Sequence, residues 1–139
     1  MMYFFIAERM ISRKYFQEIS ELMLTFQRQN YLCDTVIVCK DKKISAHRVL
    51  LAAASPVFKR ALDEQIAASG RGFGMHLLNL SHFKSDLLDM LINFIYTGKL
   101  ELPHHYYQRK EDLSDFLIVL RDLGIHLDVL NGVEIAFVR

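Results

Sequence analysis

The run Thr35-Val36-Ile37-Val38-Cys39 constrains the fold more than any other feature of the sequence. Its β-branched side chains pack well on a pleated surface and are stiff in a helix. The run does not alternate apolar with polar residues, so both faces of the strand it predicts need cover. The remaining chain must therefore supply packed layers on either side. Lys40 to Lys43 provides turn residues around Asp41. Ile44 and Ala46 then alternate with Ser45 and His47, which predicts a short hairpin partner.

Helical cover is close by. From Lys14 to Gln29, Tyr15, Phe16, Ile19, Leu22, Met23 and Phe26 fall on one face, opposite Lys14, Glu18, Glu21, Thr25 and Arg28. Such a stripe buries against a core, and one this rich in aromatic residues and Met also suits a second chain. Val49 to Ala54 is a small apolar helix-forming run. Ser55-Pro56 opens another helix, with serine as cap and proline at the first helical position. Val57, Phe58, Ala61 and Leu62 form its buried face. Gln65 to Gly74 is expected as a loop, because Ser69, Gly70, Gly72 and Gly74 crowd together. Met75 to Leu80 is a second apolar strand. Ser81 or Ser85 is expected to cap a helix carrying Phe83, Leu87, Leu88, Leu91, Phe94 and Ile95, which stops at Thr97-Gly98. Lys99 to Pro103 is extended, and His104 to Lys110 is a polar, aromatic connection. Leu113, Phe116, Leu117, Leu120 and Leu123 mark a helix ending at Gly124. A helical turn around Leu127 to Leu130 follows, and Val133 to Val138 is a strand or a tail. The order predicts an α+β domain, a small sheet flanked by helices.

Composition excludes several classes. At 139 residues, 52% hydrophobic and net charge +1, the chain matches one domain with a substantial core and lacks the bias of a disordered chain. The two cysteines, Cys33 and Cys39, make no disulfide framework and point to a reducing compartment. Tyr3 to Ala7 is apolar but stops at Glu8-Arg9, short of an export signal, so a soluble intracellular domain is expected, with no membrane contact. Gly70-Arg71-Gly72-Phe73-Gly74 lacks phosphate-loop spacing and leads into a strand. His104 and His105 diverge, His76 and His82 have no carboxylate ligand between them, and His126 stands alone, so no metal is expected. No nucleophile elbow or triad pattern is present, which predicts neither an enzyme nor a cofactor. The basic pairs Lys42-Lys43, Lys59-Arg60 and Arg109-Lys110 each have acids nearby, which speaks against direct nucleic-acid binding.

One constellation is distinctive: Cys33-Asp34-Thr35-Val36, then the continuous stretch from Ala46-His47-Arg48 to Ser55-Pro56-Val57-Phe58, then Phe94-Ile95-Tyr96-Thr97-Gly98. Together these resemble the BTB/POZ domain, of the transcription-factor branch that carries zinc fingers, over about residues 14–131. The resemblance implies the BTB/POZ fold and a homodimer built on the first helix. Residues 1–13 are then an N-terminal segment in which Tyr3, Phe4, Phe5 and Ile6 form a strand exchanged between chains, and 132–139 are a tail. Tyr15, Phe16, Ile19, Met23 and Phe26 divide between core and partner. Asp34, His47 and Arg48 are expected to converge as a charged pocket where the hairpin meets the next helix, each satisfying the other's charge. The implied role is self-association of a nuclear transcriptional or chromatin regulator, with related BTB chains and corepressor-type proteins as further partners. The alternative is a cytoplasmic adaptor docking a cullin scaffold of a ubiquitin ligase, for which Leu62-Asp63-Glu64 is a loose docking motif. The stretches 65–74 and 102–110 look longer than the family's usual connections.

Overall fold

Thr35–Cys39 forms β1 and lies in the middle of a three-stranded sheet, as an apolar run on both faces requires. Its antiparallel neighbour is β2 (Lys43–Ala46), in the register Thr35 to Ala46 and Ile37 to Ile44. Its parallel neighbour is β3 (His76–Leu80), in the register Thr35 to His76 and Ile37 to Leu78. A computed structural model describes residues 2–70, 74–81, 83–102, 110–125 and 135–137. Thr35 and Ile37 are wholly buried and Cys39 nearly so, while Val36 and Val38 are half-buried.

The helices supply the cover. α1 (Met2–Arg28) leads into the sheet, α2 (Arg48–Ala54) and α3 (Pro56–Ser69) follow β2, and α4 (Ser85–Thr97) follows β3. β4 (Leu100–Leu102), α5 (Lys110–Asp122) and β5 (Ile135–Phe137) complete the chain. The core gathers Leu51 of α2, Phe58 and Leu62 of α3, Leu88 and Leu91 of α4, and Phe116 and Leu120 of α5 against the sheet.

Local sequence explains the helix ends. Ser55 is wholly buried and works twice: its hydroxyl accepts the Phe58 N–H at 3.1 Å and donates to the Leu123 carbonyl at 2.5 Å. One serine thus caps α3 and ties it to the end of α5. Gly124 closes α5 in the left-handed conformation, with Ile125 N–H reaching the Leu120 carbonyl. A side chain there would also meet Pro56 Cδ at 3.1 Å, so glycine is needed on two counts. Asn30 ends α1 the same way, and Tyr31 folds back onto Phe26 with ring centroids 4.9 Å apart.

Several expectations are corrected. Tyr3, Phe4, Phe5 and Ile6, expected as an exchanged strand, are helical, because neither Pro nor Gly interrupts Met2 to Arg28. The expected boundary between 13 and 14 therefore falls inside one helix. Residues 65–69, expected in a loop, continue α3 to its first breaker, Gly70, at φ 66°. Neither Ser81 nor Ser85 caps α4, whose cap position is Lys84. The Ser85 hydroxyl is drawn away to Asp41 Oδ2 at 3.0 Å. Ile135–Phe137 is a strand paired in parallel with β4. The expected turn at 127–130, residues 71–73 of the glycine cluster, His82, His104, His105, His126 and the stretch 103–109 lie outside the described residues.

Replacing Ser55 by alanine removes the cap and strands a buried carbonyl, and should cost about 1–3 kcal/mol. Equilibrium urea unfolding measures it, and an unchanged midpoint contradicts the double role.

Candidate functional site

Two neighbouring features carry the residues singled out by sequence. The first is a polar clasp at the junction of α1, β1, β2 and α2. Asp34 Oδ1 accepts the backbone N–H of Arg48 at 2.7 Å, and Asp34 Oδ2 lies 3.2 Å from Arg48 Nε. That N–H is the first of α2, so Asp34 caps the helix across the hairpin while neutralising its first side chain. The pair is partly open to solvent, with side-chain exposures of 37% and 28%, so its electrostatic contribution is modest. Arg48 also donates to His76 Nδ1 of β3 at 3.2 Å, linking α2 to the far edge of the sheet.

His47 was expected beside Asp34 in one pocket, and the structure turns it elsewhere. Its ring is buried, with Nδ1 2.6 Å from the Tyr96 hydroxyl of α4 and Nε2 2.8 Å from the Tyr31 carbonyl. A carbonyl only accepts, so Nε2 carries the proton and Nδ1 accepts from the phenol. The Tyr96 oxygen in turn accepts the His47 backbone N–H at 2.9 Å. The clasp thereby reaches from the α1–β1 turn to α4. Leu32, next to Tyr31 in that turn, stands at φ 56°, a left-handed conformation that a leucine adopts at a cost of roughly 1–2 kcal/mol. Tyr96 lies in the Phe94-Ile95-Tyr96-Thr97-Gly98 motif, whose spacing alone does not pair it with the histidine. Its aromatic phenol at the end of an apolar helical stripe was the available signal.

This arrangement is built for holding and not for attack. Burial, and then the charge of Asp34, push the Cys33 thiol up from its ordinary pKa. Its Sγ lies 3.7 Å from His47 Nε2, a nitrogen that already carries a proton and so takes none from the thiol. Among the described residues no group of three or more His, Cys, Asp or Glu is placed to hold a metal ion. Among them no helix is long and apolar enough to cross a membrane.

The second feature is the outer face of α1. The stripe read from sequence splits. Met23 packs on the core together with Leu24, and half-buried Phe26 meets the Tyr31 ring at a tilt of 60°. Tyr15, Phe16, Ile19 and Leu22 instead stand 58%, 65%, 41% and 52% exposed. Tyr15 and Phe16 touch edge to face at 5.5 Å, and Phe16 walls an open groove of about 440 Å³ that runs to Thr97 and Lys99. The side chains of Tyr3, Phe4, Phe5 and Ile6 lie outside the described ones. Scattered apolar residues are ordinary on a surface, but four large ones within two turns of one helix form a patch.

Residues 23–129 match the family model described as BTB/POZ domain. Kelch-like protein 2 of Homo sapiens is 33% identical over 96 residues, 69% of this chain and 15% of that protein. Zinc finger and BTB domain-containing protein 14 of Gallus gallus is 30% identical over 93 residues, 67% of this chain and 18% of that protein. The chain therefore matches less than a fifth of the length of these relatives. Among solved structures, the BTB domain of zebrafish PATZ1 superposes with a TM-score of 0.63 at 18% identity, covering 86% of this chain and 87% of that one.

Burial pushes the Tyr96 phenol up to about 12, against the opposing pull of the His47 N–H. A raised folded value means that the native state holds the proton longer. This contribution is complete below about pH 10 and is lost as pH rises through 12. Ultraviolet titration should show one tyrosine ionising near 12. Tyr96→Phe should remove that step and cost about 1–3 kcal/mol at neutral pH, by leaving His47 Nδ1 unpaired. The absence of a step near 12, or a neutral substitution, contradicts the clasp.

Proposed function

The chain belongs to the BTB/POZ family of protein–protein interaction modules, and we propose that it self-associates through the outer face of α1. The exposed set Tyr15, Phe16, Ile19 and Leu22 is the observation that carries this. Burying each large apolar side chain is worth about 1.5–3 kcal/mol. Four of them approach the roughly 8 kcal/mol of a micromolar complex. Association itself costs several kcal/mol, so the patch needs an extension. Tyr3, Phe4, Phe5 and Ile6 belong to the preceding turns of the same helix and are proposed as that extension. Met23 then holds α1 to its own core, and Phe26 is taken up by Tyr31, instead of meeting the partner.

The proposed setting is a nuclear transcriptional or chromatin regulator that recruits corepressor-type partners and related BTB chains. A relative whose name couples a zinc finger to a BTB domain supports it. The likeness to Kelch-like protein 2 keeps the cullin-adaptor role as the second reading. Against docking through Leu62-Asp63-Glu64, Leu62 is only 3% exposed within the core, and Asp63 is engaged by Lys59 at 2.7 Å.

Sedimentation should show a dimer at micromolar concentration. Phe16→Asp combined with Ile19→Asp should weaken it at least tenfold while leaving the far-UV circular dichroism unchanged. Thr25→Asp, on the opposite exposed face, should leave it intact. A wild type that stays monomeric, or a double variant that still dimerises, overturns the proposal. Tight binding of a cullin scaffold would instead favour the adaptor role.

A further inference from the structure

Both outer edges of the three-stranded sheet are met by a glutamine side chain. On β2, Gln27 of α1 donates to the Ser45 carbonyl at 2.9 Å, and exposed Lys43 places a charge on the same strand. On β3 the contact is more complete. Gln65 of α3 donates its Nε2–H to the Leu77 carbonyl at 2.5 Å, and its Oε1 accepts the Leu77 N–H at 3.1 Å. Facing residues in an antiparallel pair exchange the same two bonds, one given and one received. The Gln65 amide therefore stands where a neighbouring strand's backbone would be. The other side of β3 is already used, the His76 N–H bonding the Asp34 carbonyl toward β1.

Beyond Gln65 and the flank of α3, the sequence of this edge strand supplies no protection of its own. Met75 to Leu80 contains no lysine, no acid and no proline, and Met75 and Leu77 are 61% and 54% exposed. A short, uncharged, apolar segment on a sheet edge is a template for pairing with another strand. We propose that the outer edge of β3 is a strand-addition site for a second copy of this chain and that Gln65 is its guard. A second copy fits because Leu77 can face its own equivalent about a twofold axis, exchanging the two bonds that Gln65 now makes. The net charge of +1 offers little repulsion between copies. The guard exists because α3 runs unbroken to Gly70, which brings Gln65 to the strand. This surface is separate from the α1 face and does not depend on the role assigned to it.

Gln65→Ala is the test, read by hydrogen exchange and by sedimentation. In dilute solution the Leu77 amide should exchange about tenfold faster than in the wild type. At roughly 10–100 µM the variant should form species larger than the wild type does at equal concentration. Adding Leu77→Lys should abolish those species, because a charge on the edge repels its own copy. Should the alanine variant fold poorly, Gln65→Met keeps the length of the side chain and carries the same expectation. Unchanged Leu77 exchange, wild-type sedimentation at every concentration, or association that survives Leu77→Lys would each overturn the proposal. Failure of the α1 interface would show in the wild type and would leave the difference between variants in place.

Discussion

The hydrogen bonds around His47 are the contact on which the rest of the arrangement depends. One imidazole joins the α1–β1 turn, through the Tyr31 carbonyl, to α4, through the Tyr96 phenol. Its neighbour Arg48 joins α2 to Asp34 and to His76 on the far strand. His47, Tyr96 and His76 are drawn out of water here, where an unpaired polar group is costly, while Asp34 and Arg48 stay partly open to solvent. Satisfied together they add specificity to a core that is otherwise apolar: a hydrophobic cluster accepts many packings, whereas a two-ended imidazole accepts one. Among the described residues no buried side-chain nitrogen or oxygen lacks a partner.

Among the described side chains of α1, the apolar ones divide between a core side and an exposed outer side. Met23 and Leu24 secure the helix to the core, which frees Tyr15, Phe16, Ile19 and Leu22 to face outward on a rigid support. A preorganised helix loses little entropy when it meets a partner. The same economy appears at β3, where one glutamine occupies an edge that would otherwise recruit a strand. The two surfaces proposed for another copy are thus treated oppositely, one left open and one closed.

Much of this was legible from residue types. The β-branched run located β1, and Ser55-Pro56 located the start of α3 because a cap and a fixed φ act locally. Helix ends at Gly98 and Gly124 were equally local. The failures share a cause: each depended on a partner distant in the chain. Ser85 looks like a cap until Asp41 claims its hydroxyl, and His47 looks like a partner for Asp34 until Tyr96 and Tyr31 claim its ring. Residues 65–69 were read with the glycines that follow them, though none of those glycines precedes Gly70. Tyr3 to Ile6 was read by its apolar character, which a strand and a helix share in so short a run.

In the proposed dimer the outer face of α1 binds a second chain, while the clasp and the sheet belong to each chain alone. Hydrogen exchange followed from nanomolar to high micromolar protein concentration tests this directly. Protection should rise with concentration at residues 12–22 and stay constant at β1, β2 and the amides around His47. Protection in α1 that ignores concentration, or that appears first in the sheet, would contradict it.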